Sequence, residues 1–302
     1  VQIGYPAFPP FPVLRKEEDF TRAGENNKGA TSFANVVERG TVLGFEMAFI
    51  GGTGVYDPGI LTEVRSEKVT TPYGEAELNL GRCHGRNVVF LARHGAGHAV
   101  PPHRVNYRAN IAALKKLGVT AVLATAAVGS LNPAMRPGHF VAVDQFIDLT
   151  RSRPQTFFEG NGAGVVHTDM TEPYCPHLRE LLLRAGESLN LTVHAGGTYV
   201  CTEGPRFETA AEIRMIRLLG GDLVGMTGVP EVVLARELGL CYSTVAMVTN
   251  FAAGLSPAPL SHAEVLEAMA QYGENLKRLA MLVIDRLDEA RTCPCRGGAG
   301  GT

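Results

Sequence analysis

Short apolar runs alternate along the chain with stretches whose apolar residues recur at helical spacing. Val88-Val89-Phe90-Leu91 reads as a strand, as do Val119 to Thr125 and Phe140 to Val143. Between the first two, Tyr107, Ile111, Leu114 and Leu117 keep helical spacing within His103 to Leu117, and Gly118 is the stop. Pro176 to Leu189 predicts a helix, Thr198 to Cys201 an extended segment, and Glu208 to Leu219 a helix closed by Gly220-Gly221. Leu223 to Met226 then reads as a strand, Pro230 to Leu238 as a helix with proline in its first turn, and Leu240 to Thr249 as a strand. The last long helix starts at Ser261, where Ser261 and Glu264 have capping-box spacing. This alternation predicts one α/β domain around a largely buried central sheet.

Residues 1–46 break the pattern. Pro6, Pro9, Pro10 and Pro12 punctuate the start, Thr21 to Thr31 is polar and aperiodic, and the first apolar run is Met47-Ala48-Phe49-Ile50. The expectation is a disordered extension over 1–46 (or a translated upstream region, the chain starting at Val1), a folded domain over 47–290, and a flexible tail over 291–302.

Composition narrows the partners. Charged residues make up 19% of the 302 and the net charge is −2, which argues against a nucleic-acid binder. The longest apolar run, Val119 to Val128, is half of the roughly 20 residues that span a bilayer, so no membrane partner is expected. The start shows no basic region followed by an apolar one, and the protein is expected to be cytoplasmic. Cys83, Cys175, Cys201 and Cys241 are scattered without the paired spacing of a zinc site, so no metal is expected. Cys293-Pro294-Cys295 is a close pair: either a strained redox bridge or two thiols in a tail.

Three motifs follow strands. Ile50-Gly51-Gly52-Thr53-Gly54 lets backbone N–H groups turn toward an anion and adds a hydroxyl, but lacks the third glycine of a dinucleotide fingerprint and the lysine of a P-loop. Arg93-His94-Gly95 offers a guanidinium fork and an imidazole donor at a strand end, where a surface ion pair is the plainer reading. Thr125-Ala126-Ala127-Val128-Gly129-Ser130 runs into small residues that admit a ligand close to the backbone. Together they predict one anion site at the carboxyl edge of a sheet. Hydrolase triads and H-E-x-x-H are missing from the chain.

Seven segments then occur in order: G-G-T-G at 51–54, A-R-H-G at 92–95, V-N-Y-R-A-N at 105–110, D-Q-F-I-D at 144–148, R-P-Q-T-F-F at 153–158, T-E-G-P-R-F-E-T at 202–209 and M-T-G-V-P-E-V-V-L-A at 226–235. From about Ala48 to Asp285 the chain resembles the methylthioadenosine phosphorylase branch of the trimeric purine nucleoside phosphorylase family. The resemblance implies a central mixed sheet flanked by helices, a homotrimer, and phosphorolysis of a nucleoside with inorganic phosphate as co-substrate and no metal or organic cofactor. It implies a phosphate site of Thr53, Arg93, His94, Thr125, Ala126 and Thr227. Substrate contacts would come from Met226 under the ribose and from Phe207, Glu208, Asn250, Ala252 and His262, with Asn250, Glu208 and His94 as the catalytic groups. Some members also carry a C-terminal C-x-C pair, which Cys293 and Cys295 resemble.

Three departures bear on the substrate. Where the methylthioadenosine enzymes have Asp-x-Asp, this chain has Asn250-Phe251-Ala252; it has Glu208 for a serine and His262 for a small aliphatic residue. The relatives that cleave inosine and guanosine carry Glu, Asn and His at these positions. A Glu208 carboxylate can accept N1–H of a 6-oxopurine but is repelled by the acceptor N1 of adenine, and Asn250 can serve both O6 and a protonated N7. His262 can meet a 5′-hydroxyl. The expected activity is cleavage of 6-oxopurine nucleosides; methylthioinosine or methylthioadenosine cleavage and a non-catalytic nucleoside-binding protein are the alternatives.

Overall fold

The computed structural model describes residues 44–55, 58–160, 164–256, 259–288 and 290–296. In chain order its first elements are β1 (Met47–Gly51), β2 (Thr62–Thr71), β3 (Gly74–Cys83), β4 (Arg86–Ala92), α1 (Tyr107–Lys116) and β5 (Ala121–Ser130). Next come β6 (Phe140–Ala142), β7 (Gln145–Asp148), α2 (Pro176–Ser188), β8 (Val193–His194) and β9 (Thr198–Cys201). The chain then forms α3 (Ala210–Leu218), β10 (Leu223–Gly225), α4 (Gly228–Glu237), β11 (Cys241–Phe251) and α5 (His262–Asp285).

The strands form one mixed sheet in the order β2-β3-β4-β1-β5-β10-β9-β7, with β11 paired to β5 and β6, and β8 to β6. β5 lies in parallel register with both β1 (Phe49 opposite Leu123) and β11 (Ser243 opposite Leu123). Its Ala, Val, Leu and Thr side chains suit a strand covered on both faces. Alternate residues feed two separate cores: Ile50, Leu91 and Val122 pack with Ile111, Leu114 and Leu234 of α1 and α4, while Phe49, Phe90 and Leu123 pack with Leu178, Met269 and Leu279 of α2 and α5. The period of two along each strand thus yields a three-layer α/β/α sandwich. Among the described residues, no helix is long and apolar enough to cross a membrane.

The structure departs from the expected elements in several places, β7 and β8 among them, which the apolar pattern does not mark. α1 begins at Tyr107, not His103, because the Asn106 side chain caps it by accepting the Ala109 N–H at 3.1 Å; Pro102–Arg104 is a separate 3-10 turn. The β2–β3 hairpin has no counterpart in the sequence reading, since β2 is polar and exposed over most of its length. Phe45 is only 6% exposed and the Glu46 carbonyl accepts the N–H groups of Thr120 and Ala121, both at 3.0 Å, so packing starts ahead of Met47. The remainder of the expected extension, residues 1–43, lies outside the described residues. Residues 291–296, expected in a flexible tail, are seated on the domain: Arg291 is buried with its guanidinium on Thr120 Oγ1 at 2.9 Å, and Cys295 is 4% exposed. Residues 297–302 lie outside the described residues.

Candidate active site

The carboxyl ends of β1, β4, β5, β10 and β11 open onto a cavity of about 430 Å³, the size of a small-molecule site. At its floor, the loop after β1 presses against β5. A Cβ on Gly52 would stand 2.8 Å from the Thr125 carbonyl and 3.0 Å from Arg93 Nη1, so only glycine permits this approach. The Gly52 N–H donates to Thr125 Oγ1 at 2.8 Å. Thr125 is therefore the one expected phosphate ligand that does not line the cavity: its hydroxyl is engaged behind the wall with Gly52 and with the Ile50 carbonyl. Thr53, Arg93, His94, Ala126 and Thr227 all do line it.

Arg93 is held by the protein on one side. It is 3% exposed, and its Nε and Nη2 donate to the two carboxylate oxygens of Glu231 at 2.8 and 2.7 Å, while Nη1 donates to the Thr125 carbonyl at 2.9 Å. Glu231, wholly buried, also accepts from the Tyr242 hydroxyl at 2.6 Å. Burial disfavours the guanidinium charge, but Glu231 outweighs it and raises the arginine further above its ordinary value. Arg93 lines the cavity and keeps two N–H donors, one on Nη1 and one on Nη2, beyond its bonds to Glu231 and Thr125.

His94 is tied to the backbone. Its Nδ1 lies 2.8 Å from the Val100 carbonyl, which can only accept, so Nδ1 carries the proton and Nε2 presents a lone pair. Burial, reinforced by Arg93, lowers its pKa to about 4, so the ring is neutral near pH 7. The imidazole expected as a donor is an acceptor. Thr227 stands at the start of α4 with no capping bond from its side chain. The Tyr199 hydroxyl takes the N–H groups of Thr227 and Gly228, at 3.1 and 3.2 Å.

At the other end, β11 pairs with β5 residue for residue as far as Val248, after which Asn250 rather than Thr249 stands opposite Gly129. The extra residue is a bulge that re-aims the end of the strand. Asn250 Nδ2 must face the Phe251 carbonyl (2.9 Å), which places Oδ1 on the Thr249 hydroxyl at 2.7 Å. One amide N–H and one oxygen lone pair of Asn250 remain. Glu208 lines the same cavity and accepts from Thr202 Oγ1 at 2.6 Å; burial pushes its pKa up despite that bond. Met226, Phe207 and Ala252 complete this end, Phe207 being 38% exposed at the lip. His262, on the first turn of α5, also lines the cavity, with its ring 5.6 Å from that of His98.

Several participants escaped the sequence reading. His98, whose ring lies 4.2 Å from His94, and Leu260 and Val265 line the cavity. Arg153 sits in the R-P-Q-T-F-F segment that carried no assigned role. It is a buried tie, donating to the carbonyls of Met226 at 2.6 Å, Glu203 at 2.7 Å and Val229 at 2.9 Å, and so fixes both segments that carry the base end. Away from the cavity, Cys175, Cys241, Cys293 and Cys295 bring their sulfurs within 4.8 Å of one another, although their spacing along the chain gives no metal signature.

Comparison with known proteins matches this geometry to a family. A family model described as the phosphorylase superfamily matches residues 46–285. The chain is 62% identical over 254 residues to a probable 6-oxopurine nucleoside phosphorylase of Moorella thermoacetica, covering 84% of this chain and 98% of the relative. It is 53% identical over 260 residues to the 6-oxopurine nucleoside phosphorylase of Pyrococcus furiosus, with 84% and 98% covered. Among solved structures, methylthioadenosine phosphorylase from Schistosoma mansoni in complex with adenine superposes with a TM-score of 0.77 at 37% identity, over 80% of this chain and 91% of that one. With the fold, the strand-end cavity and the matched residues in agreement, the chain belongs to the phosphorylase superfamily.

Proposed function

We propose that the protein is a cytoplasmic, homotrimeric 6-oxopurine nucleoside phosphorylase, in which phosphate attacks C1′ of inosine or guanosine and releases the purine and ribose 1-phosphate. The observation that carries this reading is the meeting of Glu208 and Asn250 in one cavity, beside Ala252. A carboxylate has acceptor capacity beyond its bond to Thr202 and takes N1–H of a 6-oxopurine. The free N–H of Asn250 serves O6, and its remaining lone pair accepts from protonated N7. With adenine, two acceptors would face each other. An unmade buried bond costs about 1–3 kcal/mol, a discrimination of roughly tenfold to a hundredfold or more.

The reaction balances without an outside acid. Hydrogen phosphate forms the new C1′–O bond as C1′–N9 breaks; its proton ends on the base, so the dianionic sugar phosphate and the neutral purine are the products. Neutral His94, with Nε2 as acceptor, suits the phosphate O–H, and the Arg93 charge with the hydroxyls of Thr53 and Thr227 suits its anionic oxygens. Bound phosphate in turn stabilises the oxocarbenium character of the sugar and is already positioned to bond to it. Methylthioinosine is the second reading, favoured by Leu260 and Val265, which add apolar surface beside His262.

The test is a substrate panel of inosine, guanosine, adenosine, methylthioadenosine and methylthioinosine, with and without phosphate. Hypoxanthine and guanine should form only when phosphate is present, and Glu208→Gln should lose at least tenfold in kcat/KM for inosine while closing the gap to adenosine. Faster cleavage of adenosine or methylthioadenosine by the unaltered protein would reject the base assignment. Nucleoside binding without turnover would leave a binding protein, and light scattering checks the trimer.

A further inference from the structure

Four cysteines meet at the end of the molecule opposite the cavity. Cys175 precedes α2, Cys241 opens β11, and Cys293 and Cys295 come after α5. Cys293 Sγ lies 3.4 Å from Cys175 Sγ and 3.3 Å from Cys295 Sγ, and all four sulfurs fall within 4.8 Å of one another. A tetrahedral zinc with sulfur at about 2.3 Å spaces its ligands by about 3.8 Å, inside that range. Three of the four are buried in the core layer shared by α2 and α5. The backbone holds them in place: the Cys175 N–H donates to the Tyr242 carbonyl at 2.7 Å, locking the start of α2 to β11. Thiols are weak hydrogen-bonding groups, so hydrogen bonding by itself does not explain why four of them converge.

Arg291 is an independent feature of the same place. Its buried guanidinium is anchored to Thr120 Oγ1 and the Asp288 carbonyl, both at 2.9 Å, and the carbonyl of the same Thr120 accepts the Cys241 N–H at 2.9 Å. Its Nε has no hydrogen-bond partner among the described residues. Four thiolates around a divalent cation leave a net charge of −2, which a buried guanidinium partly offsets, and thiolate sulfur accepts N–H bonds.

We propose that Cys175, Cys241, Cys293 and Cys295 form a closed tetrathiolate site for one thiophilic divalent cation of the zinc class. On binding, the thiols lose their protons as four metal–sulfur bonds form, and no coordination position is left for a substrate, so the site is structural. It fastens the segment after α5 to the start of β11. Asn250 lies toward the far end of that strand, about 30 Å away, so the site is separate from the proposed catalysis and stands or falls without it.

The experiment uses the full chain, produced with zinc supplied and purified without chelators under anaerobic, phosphine-reduced conditions. Elemental analysis should find one zinc per chain that survives dialysis and is released as a mercurial titrates the thiols. Cys293→Ser/Cys295→Ser should lose it, while Cys83→Ser, outside the cluster, should keep it. Should the double variant fail to fold, cobalt(II) loaded into the unaltered chain decides: intense sulfur-to-cobalt charge-transfer absorption with tetrahedral d–d bands is expected. Less than a tenth of a zinc per chain, absence of that absorption, or zinc retained by the folded double variant overturns the site. Disulfides among the four in protein purified without metal or reductant, mapped by mass spectrometry after thiol alkylation, also overturn it.

Discussion

Arg93 and Glu231 are each tolerable in the interior because of the other, and their bidentate pair has no exposed edge. Breaking such a pair leaves an uncompensated buried charge, at a cost of about 3–5 kcal/mol. Arg93→Ala and Glu231→Ala should therefore lower stability by similar amounts in denaturant titrations, and the double replacement by less than their sum. Both single variants should raise the KM for phosphate, although Glu231 does not line the cavity. A rise with Arg93→Ala alone would mean that the carboxylate does not position the guanidinium. His94 ties stability to pH. Its pKa is lowered from 6.5 to about 4 in the fold, so the unfolded chain binds the proton more readily between those values. The stability it contributes is present above pH 6.5 and lost as pH falls toward 4, an effect of roughly 3 kcal/mol. Urea unfolding at stepped pH should show this loss, and His94→Gln should flatten it.

Two elements turn a buried sheet into a selective cavity. The bulge at Thr249 directs Asn250 to the base end, and α5 delivers His262 on its first turn. The start of α5 is set by Ser261, whose Oγ accepts the Glu264 N–H at 3.1 Å. His262→Val keeps that cap and replaces a polar group by an apolar wall, so methylthioinosine should gain on inosine by about tenfold in kcat/KM, the scale of one lost hydrogen bond. Base choice between inosine and adenosine should not change, because the two ends of the nucleoside share no contact. An unaltered ratio of inosine to methylthioinosine would remove His262 from the 5′ end.

For the molecule as a whole, the folded unit needs more chain than the apolar pattern marks out. Phe45 is buried and the Glu46 carbonyl supports the start of β5. We propose a domain from Gly44 through the 291–296 segment. A chain starting at Gly44 should retain full activity and its melting temperature. One starting at Met47 loses the Phe45 side chain, worth about 3–5 kcal/mol, and should melt several degrees lower. Equal melting of the two would place the boundary at Met47 after all.

Neighbours along the chain dictate the part of this protein that is legible in its sequence. The strands β4, β5 and β11 and the helices α2 and α5 come from periodicity, because burial on a regular backbone repeats every two or 3.6 residues. The strand-end motifs pointed to the carboxyl edge for the same reason, each being a local turn after a strand. Glu208, Asn250 and His262 could be singled out because a base-recognition group is a single side chain with readable chemistry. Contacts between remote segments leave no such trace. Glu231 is 138 positions from Arg93, and its choice as partner takes two of the five guanidinium donors and fixes where the charge sits. The Val100 carbonyl turns His94 from donor to acceptor, and the Gly52 N–H draws the Thr125 hydroxyl out of the cavity. Cys175 and Cys293, 118 positions apart, become neighbours only because α2 and α5 pack on one face of the sheet. A side chain's type is set by the sequence; its remaining donors, acceptors and charge depend on which distant groups the fold sets against it.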